Sequence, residues 1–281
     1  MIDVWRRCWR GVSGLTLPLG DKTFGYFAGG LGYSKPMKVA AYQAPLLAAG
    51  SLEAIDLIEE RVAWCESEGV SILCCPEAIL GGLGDYAEYP ARFAIRTDDG
   101  QLAKVLAPLT SDSVTSIVGF TELAGDDQLY NAAALFHRGR VAGLYRKLHP
   151  AIRRSVYSAG SATPVFRVGE LTFGIVICHD STFSVPAREM AAQGASALFV
   201  PANNGLPTKR AYPGLVQEAR AIDHSRVLEN RVWVIRADVA GTNGDLMSYG
   251  SSAIVDPDGK VVREANLQTA DLLVADVVDP H

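Results

Sequence analysis

Three residues at the ends of apolar runs could do chemistry in this chain: Cys178, Glu77 and Lys147. Cys178 closes the run Phe173-Gly174-Ile175-Val176-Ile177 and is followed by His179-Asp180, so a strand-like stretch gives way to a polar turn before helical text. A side chain at such a turn is held at a sheet edge, where backbone N–H groups can meet a developing oxyanion. A free thiol has a pKa of about 8.5 and is mostly protonated at neutral pH, so a nucleophilic one needs a base or a cation beside it. Glu77 follows Cys75-Pro76 at the end of a second apolar run, and Lys147 lies in Tyr145-Arg146-Lys147-Leu148-His149-Pro150, where a third run meets a loop. Taken singly, each has an ordinary reading too: a small buried hydrophobe for the cysteine, solvated strand-end charges for the others. Cys8, Cys65, Cys74 and Cys75 are read in that ordinary way.

The elements that must position these residues follow from periodicity. From Met37 onward strand-like and helical stretches alternate, as in a layered α/β domain. Strands are expected over 39–43, 70–75, 115–121, 131–136, 141–145, 171–177, 197–200, 232–239, 252–256, 260–263 and 272–277. Ser51 can cap a helix that carries Leu52, Ile55, Ile58, Val62 and Cys65 on one face and ends at Gly69. Further helices are expected over 186–193 and 214–230, with turns at His137-Arg138-Gly139-Arg140 and Asp256-Pro257-Asp258-Gly259.

Bulk properties narrow the function. The chain has 281 residues, 48% of them hydrophobic, and 26 Lys+Arg against 31 Asp+Glu give a net charge of -5. Basic residues are scattered, which argues against nucleic acid, and no apolar run reaches the length of a membrane span. Five cysteines without a secretory signal point to a reducing, cytoplasmic setting instead of a disulfide framework. Cys74 and Cys75 are adjacent and no Cys-x-x-Cys spacing occurs, so no metal site is expected. Residues 1–36 open with Trp5, Arg6, Arg7, Trp9 and Arg10 and continue Gly-rich. They read as an atypical extension, from a mis-assigned start or a targeting segment, ahead of a domain over 37–281.

A strand-end Glu, Lys and Cys in that order resembles the Glu-Lys-Cys triad of the nitrilase or carbon–nitrogen hydrolase superfamily. The likeness runs from Met37 to about Val278 through Val39-Ala40-Ala41-Tyr42-Gln43, Pro76-Glu77, Gly143-Leu144-Tyr145-Arg146-Lys147-Leu148-His149, Gly174-Ile175-Val176-Ile177-Cys178-His179-Asp180, Gly194-Ala195, Leu228-Glu229-Asn230 and Gly250-Ser251-Ser252. The resemblance implies a four-layer α-β-β-α sandwich that forms a homodimer or higher homo-oligomer and needs no cofactor. It implies that Cys178 attacks the substrate carbon, Glu77 is general base, and Lys147 with the backbone N–H of His179 holds the oxyanion through a thioester route. The Lys147 ammonium is expected to favour the thiolate as well. Asn203 and Asn204 fall where pocket residues lie in similar enzymes.

Departures from the family pattern bear on substrate. Nitrile-cleaving members show Cys-Trp-Glu, whereas Cys178-His179-Asp180 points to a small amide or N-carbamoyl compound, with a nitrile as the alternative. Arg188 lacks the local glutamate usual in the family, because Val185 takes its place. The loop 151–160 lacks the second glutamate that often follows the lysine and offers Arg153 and Arg154 instead, as ligands for an acidic group or as solvated charges. This loop motivates a rival expectation, a catalytically quiet binding protein on the same scaffold. A Cys-His hydrolase drawing on His149, His179 or His224 is a further one.

Overall fold

The computed structural model describes residues 35–51, 53–151 and 154–280. The expectations for 1–34 and for Arg153 lie outside these residues. Strand β1 (Met37–Pro45) shows the alternation that builds the architecture: Val39 and Ala41 face one apolar layer, Ala40 and Tyr42 the other. Helix α1 (Glu53–Ser67) begins where the Glu53 N–H donates to Ser51 Oγ at 3.3 Å, and it buries Ala54, Ile58, Val62 and Cys65. Next come β2 (Ile72–Cys74), β3 (Ile95–Arg96), α2 (Gln101–Leu106), β4 (Thr115–Leu123), β5 (Leu129–His137) and β6 (Arg140–Arg146). The β5–β6 turn places Arg138 and Gly139 at φ of 48° and 72°, the paired left-handed geometry that suits a two-residue hairpin loop.

The second half of the chain supplies β7 (Val165–Val168), β8 (Leu171–Ile175), α3 (Ser184–Ala192), β9 (Ala197–Pro201), β10 (Leu206–Pro207) and α4 (Gly214–Asn230). It closes with β11 (Trp233–Ala237), β12 (Val239–Asn243), β13 (Leu246–Ser248), β14 (Ala253–Val255), β15 (Val261–Glu264) and β16 (Asp271–Val277). Among the described residues one sheet has ten strands, ordered β10-β13-β12-β1-β2-β4-β5-β6, with β16 beside β1 and β3 beside β4. The other has six, ordered β15-β14-β11-β9-β8-β7. The centres, β1-β2-β4 and β8-β9-β11, are parallel and read as near-continuous apolar text because both their faces are covered.

The layers are helix, sheet, sheet, helix. Ile72, Cys74, Ile117 and Tyr145 of the larger sheet pack with Phe173, Ile175, Phe199 and Ile235 of the smaller. On the far side of the larger sheet, Leu73, Val118 and Phe120 meet Ile58, Val62 and Leu106 of the first two helices, while Ala187, Met190 and Val227 bring α3 and α4 onto the smaller sheet. Each fully buried Ile, Leu or Phe contributes about 1.5–3 kcal/mol relative to exposure, so these interfaces hold the frame on which the strand ends sit.

The structure corrects one strand. The expected single strand over 232–239 is two, β11 in the smaller sheet and β12 in the larger, and the chain crosses between them at Asp238. Asp238 is fully buried, and its carboxylate accepts hydrogen bonds from Asn204, Val239 and Ser251. A charged side chain satisfied in this way fixes a crossover that apolar patterning alone does not reveal.

Candidate active site

Glu77 follows β2, Lys147 follows β6, and Cys178 lies beyond β8, so three strand ends on two sheets meet at one place. Glu77 and Lys147 are 1% and 4% exposed, and Lys147 Nζ donates to Glu77 Oε1 at 2.5 Å. Asn131 Nδ2 donates to the same oxygen at 2.7 Å, and the Asn203 N–H donates to Oε2 at 3.0 Å. Every charge in this buried group is therefore paired or hydrogen-bonded, the condition on which buried ions are tolerated. Gly119 makes the arrangement possible, because a Cβ there would lie 2.8 Å from Glu77 Cα and collide with the Pro76 carbonyl.

Cys178 opens a short 3-10 turn, Cys178–Thr182, with φ at 45°, a left-handed value that costs a non-glycine residue energy. Asp180 holds the turn in place and is itself fully buried. Its carboxylate accepts the Tyr145 hydroxyl at 2.7 Å, the His149 N–H at 2.7 Å, and the Leu148 and Ile177 N–H groups at 3.3 Å each. Asp180 thus ties the backbone just after Lys147, and the Tyr145 side chain before it, to the residue preceding Cys178. Backbone N–H groups at the start of such a turn have no carbonyl partner within it, so the His179 N–H is available to a ligand.

Behind the turn, Arg236 of β11 donates through Nε and Nη2 to the Asp223 carboxylate at 2.6 and 2.5 Å, and through Nη2 to Ser181 Oγ at 3.2 Å. The Ser181 hydroxyl donates in turn to the Cys178 carbonyl at 2.7 Å.

Lys147 pulls the Cys178 thiol downward, as expected, but other contributions outweigh it. Crowding by protein, then the Glu77 charge, push the Cys178 thiol up to about 12, and the opposing pull of Lys147 and Arg236 only partly offsets them. The sulfur therefore rests as a thiol and needs a base at the moment of attack. For Lys147, burial pulls downward, but the Glu77 carboxylate more than compensates and holds the ammonium charged. His179 is lowered, first by burial and then by Lys147, so its ring is neutral at pH 7. Among the other described cysteines, burial also drives Cys65, Cys74 and Cys75 upward, and all three are closed off inside the core.

A cavity of about 220 Å³ lies over this group. Glu77, Lys147, Cys178, His179 and Asn203 all line it, with Asn131, Arg236, Tyr86, Tyr157 and Ile222 among the other walls. Asn203 reaches the cavity, while its amide donates to the Glu77 carbonyl at 3.2 Å and its Oδ1 accepts the Gly205 N–H, so it braces the carboxylate. Asn204 braces Asp238 and Ser251 in the same manner. Arg188 and Arg154 are exposed and outside the lining. No histidine hydrogen-bonds to Cys178 among the described residues: His149 pairs with Asp180 and stacks on Phe183, and His179 Nδ1 lies 3.4 Å from Thr182 Oγ1.

Sequence reasoning missed Asn131, Asp180, Asp223 and Arg236 as members of the site. The signal for Asn131 and Arg236 was a polar residue within an otherwise apolar strand, which demands a partner. For Asp180 it was an acid directly after a buried strand, and for Asp223 no local pattern distinguishes it from the other polar residues of α4.

The carbon–nitrogen hydrolase family pattern matches residues 38–279. A hydrolase of Pseudomonas protegens is 31% identical over 244 residues, covering 84% of this chain and 81% of the relative. The N-carbamoylputrescine amidase of Oryza sativa subsp. japonica is 27% identical, covering 89% of this chain and 88% of that protein. In fold, a nitrilase-superfamily member of Saccharomyces cerevisiae superposes with a TM-score of 0.75 at 22% identity, covering 88% of this chain and 92% of that one. With the match spanning nearly all of the domain, the chain belongs to the carbon–nitrogen hydrolase family of the nitrilase superfamily, hydrolases of carbon–nitrogen bonds other than peptide bonds.

Proposed function

We propose that the protein hydrolyses a small amide or N-carbamoyl compound through a thioester on Cys178. The observation that carries this reading is the Glu77 carboxylate, fixed by Lys147, Asn131 and Asn203 in the cavity that the Cys178 turn lines. Glu77 takes the thiol proton as Cys178 Sγ bonds to the carbonyl carbon, and the carbonyl oxygen becomes an oxyanion held by Lys147 Nζ and the His179 N–H. Glu77 passes the proton to the amide nitrogen, the carbon–nitrogen bond breaks, and ammonia or amine leaves a thioester. A water gives its proton to Glu77 and attacks the thioester carbon. The carbon–sulfur bond then breaks, and the sulfur recovers a proton from Glu77 as the acid departs.

A cavity of about 220 Å³ suits a compact acyl group. Incubation with a panel of short amides, ureido acids and nitriles, read by release of ammonia, tests the reading. Turnover that disappears in Cys178→Ala is the expected result, and turnover indifferent to that change rejects it. Phe183, Val185 and Leu228 expose apolar side chains around α3 and α4, and this supports association into a homodimer or larger homo-oligomer, measurable by light scattering.

A further inference from the structure

Arg236 is 2% exposed, yet its guanidinium is only partly used. Nε and Nη2 are committed to Asp223 and Ser181, whereas Nη1 has no protein acceptor among the described residues. The Nε atoms of Arg220 and Arg226 also lack partners but are sealed from solvent; Nη1 of Arg236 is not sealed, and the residue lines the cavity over Cys178. The Asp223 fork fixes the guanidinium plane and so the direction of the two free N–H bonds. Ser181 links Arg236 Nη2 to the Cys178 carbonyl through two successive hydrogen bonds, so the guanidinium stands against the turn that carries the nucleophile. An N–H of this guanidinium that faces the cavity can donate to an oxygen on a bound molecule, and a hydrogen bond from a charged donor is stronger than one between neutral groups.

Charge decides which oxygen. Asp223 neutralises Arg236 and Glu77 neutralises Lys147, so these two pairs leave the cavity floor without net charge. Asp85 and Glu218 stand among the remaining lining residues. A substrate carboxylate gains nothing from this balance, while a hydroxyl or carbonyl oxygen gains a charge-assisted hydrogen bond.

Resting on the amide-hydrolase reading, we propose that Arg236 Nη1 is a specificity donor. It selects amides that carry a neutral oxygen acceptor on the acyl portion close to the scissile carbon. The role is binding and discrimination, so the effect belongs in KM more than in kcat.

Three short amides test this: propionamide with no second acceptor, lactamide with a neutral hydroxyl, and malonamate with a carboxylate. Lactamide is expected to exceed propionamide in kcat/KM by about 10- to 100-fold, mainly through KM. Arg236→Lys, which keeps a cation beside Asp223, is expected to bring that ratio close to one. Equal constants for the two amides in the unmodified protein overturn the proposal, as does a preference for malonamate over lactamide. Calorimetric binding to Cys178→Ala repeats the comparison without turnover and without disturbing Arg236. A tighter Kd for lactamide there supports the donor even if no amide is hydrolysed, so failure of the hydrolase reading registers separately, and equal affinities overturn the donor itself.

Discussion

Lys147 Nζ and Glu77 Oε1 are 2.5 Å apart with both side chains almost wholly buried, so the proposed base is also the counter-ion of the proposed oxyanion donor. Neither can be changed without altering the other. The Cys178 sulfur feels both charges, in opposite senses.

Glu77→Gln removes the base while leaving the sulfur in place. Without a base to move protons, amide turnover is expected to fall by about 10²–10⁴-fold. The same change takes away the partner that holds Lys147 charged, so the push of Glu77 on the Cys178 thiol and the opposing pull of Lys147 weaken together. Turnover that stays within a few-fold of the unmodified protein contradicts the role of Glu77 as base.

In the unmodified protein, a thiol pushed up to about 12 should not reach an alkylation plateau near pH 9. The labelling rate is expected to climb about tenfold per pH unit across pH 7–10, because the thiolate fraction does so below the pKa. A midpoint near 8.5 contradicts the upward shift and shows that the cations cancel crowding and the glutamate.

Lys147→Met removes an oxyanion donor and leaves Glu77 buried without its ion partner. A kcat loss of about 10²–10³-fold is expected from the first effect. A stability loss of about 3–5 kcal/mol, read from the urea midpoint, is expected from the second. An unchanged midpoint contradicts the buried-pair description.

Cys178→Gly and Cys178→Ala both lack the sulfur, but glycine accepts a φ of 45° without strain. Cys178→Gly is expected to be more stable than Cys178→Ala by about 1 kcal/mol or somewhat more, offset in part by the freedom glycine gains when unfolded. Equal or reversed midpoints show that the turn is relaxed.

Much of this structure was legible in the chain itself. The helix expected over 214–230 coincides with Gly214–Asn230, and the hairpin at 137–140 forms where Arg138-Gly139 marks it, because local turn chemistry and 3.6-residue periodicity act within a few residues. The strand ends bearing Glu77, Lys147 and Cys178 were likewise visible as apolar runs meeting polar text. What was hidden is long-range. Nothing near Asp238 shows that the chain changes sheets there, and nothing near Asp223 shows that its partner is Arg236, because those facts depend on which segments pack together. The pull of Lys147 on Cys178 was foreseen, but desolvation and the glutamate, both products of the closed fold, were not, and they set the net direction of the shift.

The grip on the Glu77 carboxylate comes from Asn131, Lys147 and Asn203, which stand 54, 70 and 126 positions further along the chain. No fragment of the early chain can assemble it. A nascent or half-denatured molecule thus carries Cys178 as an unassisted thiol, and the reactive centre comes into being only with the last long-range closure between the sheets. Recovery of turnover after dilution from urea would then trail the recovery of helical signal, making the chemistry itself a reporter of completed folding.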